Sequence, residues 1–140
     1  MITDISTSIM TLFNSTPGGT ALRTVLSGGL YFSEAGPGVS FPYGVFQWNG
    51  SNVDEIAGGA TNRIETASIT VRLFSKNDDG GTEVFDIASK FMALYDWATL
   101  AFPDGSTYSP LAFQRISIVN RGKSDNIWLI EIDYDLMFEH

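Results

Sequence analysis

The chain contains no cysteine, and its single histidine is His140, at the last position. Without cysteine there is no disulfide framework, no thiolate nucleophile and no iron–sulfur cluster. One histidine excludes a metal site with two histidine ligands, and its place at a chain end argues against a Ser-His-Asp triad. These absences remove several kinds of catalytic and metal chemistry, and the sequence offers no motif for a catalytic, cofactor or metal site.

Positive charge is also scarce. The 8 Lys and Arg residues stand against 16 Asp and Glu residues, which gives a formal net charge of −8. Affinity for nucleic-acid phosphates comes from clustered basic residues, so we expect DNA to be repelled rather than bound. The chain does not open with a basic segment and an apolar core, and no run approaches the roughly 18 apolar residues that span a membrane. These features predict synthesis in a cytoplasm and no membrane association.

Length and composition are typical of one globular domain. The chain has 140 residues, of which 44% are hydrophobic, and a chain of this size can bury one hydrophobic core. It shows no internal repeat and no linker that would separate two domains, so residues 1–140 are expected to form a single domain. Residues 50–62 have no periodicity and are expected to form a flexible loop or arm.

The first 60 residues are poor in charge and rich in glycine, with 5 charged side chains and 10 of the 14 glycines. Loops with so few charges suggest surfaces that another chain covers, although loops packed on their own domain remain the alternative. On the first of these interpretations, the segment from Glu34 to Phe41 and the arm at 50–62 would contact neighbouring subunits. The candidate interface residues are Phe41, Tyr43, Val53, Asp54, Glu55 and Ile56.

Hydrophobic periodicity predicts an α+β fold. From Glu65 to Phe74, apolar residues alternate with polar ones, which is typical of a strand with one buried face. The segment that starts at Thr82 carries a wide apolar stripe, typical of a helix lying on a sheet. Two shorter helices precede residue 27, and the other predicted strands are Leu30–Phe32, Tyr43–Asn49, Leu111–Asn120 and Ile127–Phe138. The pattern predicts a two-layer sandwich, a mostly antiparallel sheet with helices packed on one face.

Three carboxylates, Glu131, Asp133 and Asp135, alternate along the last predicted strand and therefore point to the same, polar face of the sheet. Three interpretations are open. The carboxylates are solvated or paired with basic residues of the neighbouring strand, for which Arg115 and Arg121 are candidates. They hold a divalent cation, or they form a functional acidic surface.

The order of elements and three short segments resemble the tail-completion and tail-terminator proteins of tailed bacteriophages and prophages, minor tail proteins of the neck. The segments are Thr20 to Phe32 (TALRTVLSGGLYF), Phe41 to Phe46 (FPYGVF) and Ser68 to Ser75 (SITVRLFS), and the resemblance covers nearly the whole chain. The sequence departs from the family pattern at two places. Leu30-Tyr31 lacks the preceding basic residue, and Gly44 stands where the family has valine.

This resemblance implies a structural virion protein without catalytic activity. Its copies would form a ring, usually a hexamer, that caps the head-proximal end of the tail tube and joins it to the head–tail connector or stopper protein. DNA would pass through the ring without specific binding, and the acidic face of Glu131, Asp133 and Asp135 would line the lumen or a subunit boundary. The alternatives are another neck, head-completion or tail-tube ring subunit, or a cytosolic α+β ligand-binding module. An enzyme that works through paired carboxylates is a further alternative.

Overall fold

The computed structural model describes residues 1–55 and 63–139. Within these ranges the chain forms three helices and five strands. In chain order they are α1 (Ile2–Phe13), α2 (Thr20–Val25), β1 (Leu30–Phe32), β2 (Tyr43–Glu55), β3 (Arg63–Ser75), α3 (Thr82–Tyr95), β4 (Ser109–Ser124) and β5 (Ile127–Glu139).

The five strands form one sheet in the order β1-β2-β3-β5-β4. Strand β1 pairs with β2 in parallel, and the other three pairings are antiparallel. The helices lie on one side of the sheet. The predicted α+β fold, a mostly antiparallel sheet with helices on one face, is therefore confirmed.

The core lies between this helical layer and the sheet. Alternate residues of β3 and β5, such as Val71 and Ile132, are almost completely buried against the apolar stripe of α3, which includes Phe91. The Tyr95 hydroxyl at the end of α3 donates a hydrogen bond of 2.8 Å to the carbonyl oxygen of Ile9 in α1. This bond joins two helices that are far apart in sequence, so the helical layer packs as a unit.

One local prediction needs correction. The segment from residue 50 to residue 55 is not part of a loop, because it continues β2 and pairs with the start of β3 beyond an irregularity between Trp48 and Gly50. The bulge shifts the register there, and the hydrophobic alternation that marks a strand is lost in the sequence at this point. The rest of the expected arm, 56–62, lies outside the described residues.

Candidate interaction surfaces

The polar face of the sheet, on the side away from the helices, carries a hydrogen-bonded network centred on Asp133. One carboxylate oxygen of Asp133 accepts a bond of 2.7 Å from the hydroxyl of Thr70 in β3. The other accepts a bond of 3.1 Å from the hydroxyl of Ser117 in β4. Thr70 in turn accepts a bond of 2.7 Å from the amide of Asn49. Asp133 therefore connects the strands on both sides of β5.

Glu131 is held by two arginines. Its carboxylate lies 3.6 Å from Nε of Arg72 and 3.4 Å from Nε of Arg121, and its side chain is only 18% exposed. Arg72 also donates a bond of 2.8 Å to the side-chain oxygen of Gln47 in β2. The interpretation of the stripe as a set of paired carboxylates therefore holds for Glu131, with Arg121 as one of the two candidates named from the sequence.

Arg115 is not a partner of the stripe. Its Nε lies 3.1 Å from a carboxylate oxygen of Asp96, just after α3. In the strand register Arg115 stands opposite Tyr134, a core residue, so it points to the helical side of the sheet. A bulge at Ile116 then changes which residues of β4 face which side of the sheet.

Asp135 differs from the other two carboxylates. Within residues 1–55 and 63–139 no hydrogen bond or ion pair joins its side chain to another residue. Its neighbours in the register are Ser68 of β3 and Gln114 of β4, both uncharged. Of the three predicted site residues, Asp135 thus makes the fewest hydrogen bonds and ion pairs with described residues.

Among the described residues, 1–55 and 63–139, no group of three or more His, Cys, Asp or Glu side chains is arranged to hold a metal ion. Nor do these residues include a helix that is both long and apolar enough to cross a membrane.

Two buried phenols stand on the helical side of the sheet. Burial raises the pKa of Tyr95 well above its ordinary value. Burial likewise raises the pKa of Tyr134, and its 2.8 Å hydrogen bond to the Asp96 carboxylate adds to the effect. The Tyr134 ring also stacks on Phe113 at 4.5 Å between centroids. Both phenols are part of the packed core rather than groups that exchange protons near neutral pH.

The predicted interface residues Phe41 and Tyr43 are half-buried in an aromatic cluster at one end of the polar face. Their ring centroids are 5.0 Å apart, and Tyr43 stacks on Phe74 of β3 at 4.9 Å. The ammonium group of Lys76 sits 4.6 Å above the Phe41 ring. The cluster holds the start of β2 against the end of β3, and its rings keep part of their surface exposed.

The other predicted interface residues follow near the end of β2. Val53 lies opposite Glu65 in the sheet and is 50% exposed. The backbones of Asp54 and Glu55 belong to β2, and Ile56 lies outside the described residues. Among the described members of this set, Val53 presents apolar surface.

Sequence reasoning missed the apolar surface of β4, which is an edge strand of the sheet. Leu111 is 51% exposed and Ile116 57% exposed, and each is the extra residue of a bulge in the pairing with β5. Beside this strand lies Trp97, whose backbone N–H donates to the carbonyl of Phe113. Trp97 is 73% exposed and has a positive φ of 58°. A sequence signal existed, since Leu111, Ile116 and Ile118 do not all fit one face of a regular strand.

Solved structures with the same fold exist. A chain from the virion of a native gene transfer agent (GTA) particle matches with a TM-score of 0.70 at 10% identity, over 95% of this chain and 92% of that chain. A second solved chain matches with a TM-score of 0.57 at 15% identity, over 94% of both chains. Neither a protein-family model nor a curated protein matches the sequence. At such identities the likeness shows a shared fold, and it spans nearly the full length of each chain.

Proposed function

We propose that this protein is a structural subunit of a phage-like virion. The observation that carries the proposal is the near full-length match, at a TM-score of 0.70, to a chain of the gene transfer agent virion. The sequence resemblance to tail-completion and tail-terminator proteins points to the same kind of particle from separate evidence. A role of this kind requires surfaces for assembly and no catalytic residue.

Within the virion we propose the neck. In this role the copies form a ring, a hexamer, that caps the head-proximal end of the tail tube and joins it to the head–tail connector or stopper protein. Support comes from the family resemblance of the segments Thr20 to Phe32 and Phe41 to Phe46, and from the apolar surface that β4 leaves exposed. Exposed aliphatic side chains on an edge strand are typical of a subunit that is covered in its assembly.

The acidic face suits a ring through which DNA passes. Net negative charge repels the phosphate backbone, so a lumen lined by carboxylates lets DNA slide without binding. Glu131 is paired with arginines and Asp133 is hydrogen-bonded to neighbouring strands, so Asp135 is the carboxylate most available to face the lumen. We propose the lumen or a subunit boundary as its environment.

Removal of the protein from cells that produce the particle tests the proposed position. A cap on the tail tube predicts tails of uncontrolled length that fail to join heads, visible by electron microscopy. A different neck or head-completion subunit predicts tails of normal length beside unfilled or unjoined heads. Normal, joined and functional particles would refute a virion role altogether.

The charge of the lumen is tested with Asp135→Lys, and Asp104→Lys serves as the matched control. Asp104 is exposed in the turn after α3, and the same charge change there alters the net charge equally. We expect Asp135→Lys particles to assemble but to deliver less DNA per particle, with no such loss for Asp104→Lys. Equal DNA delivery by both variants would contradict a lumenal position for Asp135.

A further inference from the structure

Two surface features lie near opposite edges of the sheet. Strand β4 forms one edge and β1 the other. Beside β1, an open groove of about 640 Å³ runs along α1. Because the two features are different surfaces near opposite edges of the sheet, a contact between them joins copies head to tail, whereas a symmetric dimer would place the same surface of both copies together.

The β4 edge is suited to contacts through side chains rather than through backbone hydrogen bonds. Its pairing with β5 shifts register three times, at Leu111, Ile116 and Arg121. Such bulges turn the extra residue outward and disrupt the regular backbone pattern that a neighbouring strand would need for pairing. Two of the three residues are exposed aliphatics, and the third, Arg121, has a side chain that is 54% exposed.

The charge of β4 is unusual for this protein. The strand carries three basic residues and no Asp or Glu, although the whole chain has a net charge of −8. Each of the three lies within 3.4 Å of a carboxylate of the same chain, Arg115 of Asp96, Arg121 of Glu131 and Lys123 of Asp78, so charge is locally balanced along this edge. Two copies of so acidic a protein repel each other over most of their surfaces. A partner copy therefore meets the least repulsion where β4 is exposed.

The groove beside β1 offers the matching surface. It is lined by hydroxyl and amide side chains of α1 and of the two residues that follow it, together with Met10 and Phe32, and none of its lining residues is charged. Its volume falls within the range of about 300 to 1,000 Å³ that is typical of binding pockets. Glu34, which is exposed, follows β1 two residues after the groove residue Phe32, and its backbone N–H donates a bond of 2.8 Å to the Phe32 carbonyl.

We propose that the β4 edge of one copy docks into the α1 groove of the next copy, with Leu111 and Ile116 in the groove and Arg121 facing Glu34. This inference rests on the proposed ring, for which it supplies the subunit contact. The uncharged groove accepts the aliphatic side chains without leaving a buried charge unpaired. Arg121 lies 3.4 Å from Glu131 of its own chain and is still 54% exposed, so its guanidinium can also face Glu34 of the next copy, and the opposite charges favour this orientation. Repetition of the contact closes a ring when the rotation between copies divides a full turn.

Engineered disulfides test the contact, and the absence of native cysteine makes them unambiguous. We would place Ile116→Cys on β4 and Thr7→Cys in the groove, each in a separate chain, and then mix and oxidise the two proteins. Thr7 is an exposed groove residue, so both substitutions are at accessible positions. A protein with Asp104→Cys replaces Thr7→Cys in the control mixture.

The docking geometry predicts a covalent dimer in the Ile116→Cys and Thr7→Cys mixture and little in either protein alone or in the control. A chain with both substitutions, assembled into particles, should give a ladder of oligomers that ends in a closed ring. Rapid dimer formation by Ile116→Cys alone would refute the groove and indicate symmetric β4 contacts. Rings that assemble without this disulfide would refute the docking geometry and leave the proposed function standing. Absence of the protein from every ring and particle would overturn both proposals.

Discussion

Replacement of Asp133 by alanine should destabilise the fold, because this carboxylate connects three strands. The variant loses the bonds from Thr70 at 2.7 Å and from Ser117 at 3.1 Å. A hydrogen bond to a charged group contributes about 1.5 to 3 kcal/mol. Asp133 is half-exposed, so water replaces part of this loss, and removal of its charge also relieves repulsion from Glu131 and Asp135. We expect a net loss of about 2 kcal/mol in the free energy of unfolding.

Asp135→Ala is the matched control, since Asp135 stands two residues further along the same face of the same strand. It loses no bond to a described residue, and we expect a change within about 0.5 kcal/mol. Urea unfolding followed by circular dichroism measures both values, and the thermal midpoint of Asp133→Ala should fall by roughly 5 to 10 °C. A double-mutant cycle with Thr70→Val should show coupling with Asp133→Ala and none with Asp135→Ala. Equal stability losses for the two aspartate variants, or no coupling to Thr70, would refute the structural role of Asp133.

Three further predictions concern the core and one tight contact. Tyr95→Phe removes the hydroxyl that bonds α1, and urea unfolding should show a loss of about 1 kcal/mol; no loss would mean that the bond adds nothing to stability. Because burial raises the pKa of Tyr95 and Tyr134 in the fold, the unfolded chain releases these protons first. Their contribution to the free energy of unfolding should therefore be fully present below about pH 10 and decrease above it. An absorbance titration in which both phenols ionise while the protein stays folded would contradict their burial. A Cβ at Gly28 would collide with the backbone carbonyl of Ser40, whereas one at Gly36 meets open space. Gly28→Ala should cost about 1 to 3 kcal/mol and Gly36→Ala almost nothing, and similar unfolding midpoints would contradict this packing.

Much of the fold can be predicted from the sequence because hydrophobic alternation is regular where one face is buried. The strand over Arg63–Ser75 and the helix that begins at Thr82 follow from this pattern. The second half of β2 does not, because the bulge near Gly50 breaks the alternation there. The parallel pairing of the short β1 depends on long-range contacts that local patterns do not encode.

The candidate surfaces could be predicted only in part. Alternation in β5 places Glu131, Asp133 and Asp135 on one face, but partners depend on strand register. In the observed register Glu131 lies beside two arginines, whereas Asp135 has no described ion-pair or hydrogen-bond partner. The exposed positions of β4 are harder to predict, because two of its three bulges, at Leu111 and Ile116, turn aliphatic residues outward. Such bulges are set by pairing with β5 rather than by the residues themselves.

The most direct test of the proposed ring is electron microscopy of the purified protein mixed with tail tubes from its own particle, combined with native mass measurement of the capped species. The account predicts a ring of six copies, each of 15.3 kDa, at one end of the tube and none along its length. Tube ends without added density, while the protein stays monomeric in the same mixture, would contradict it.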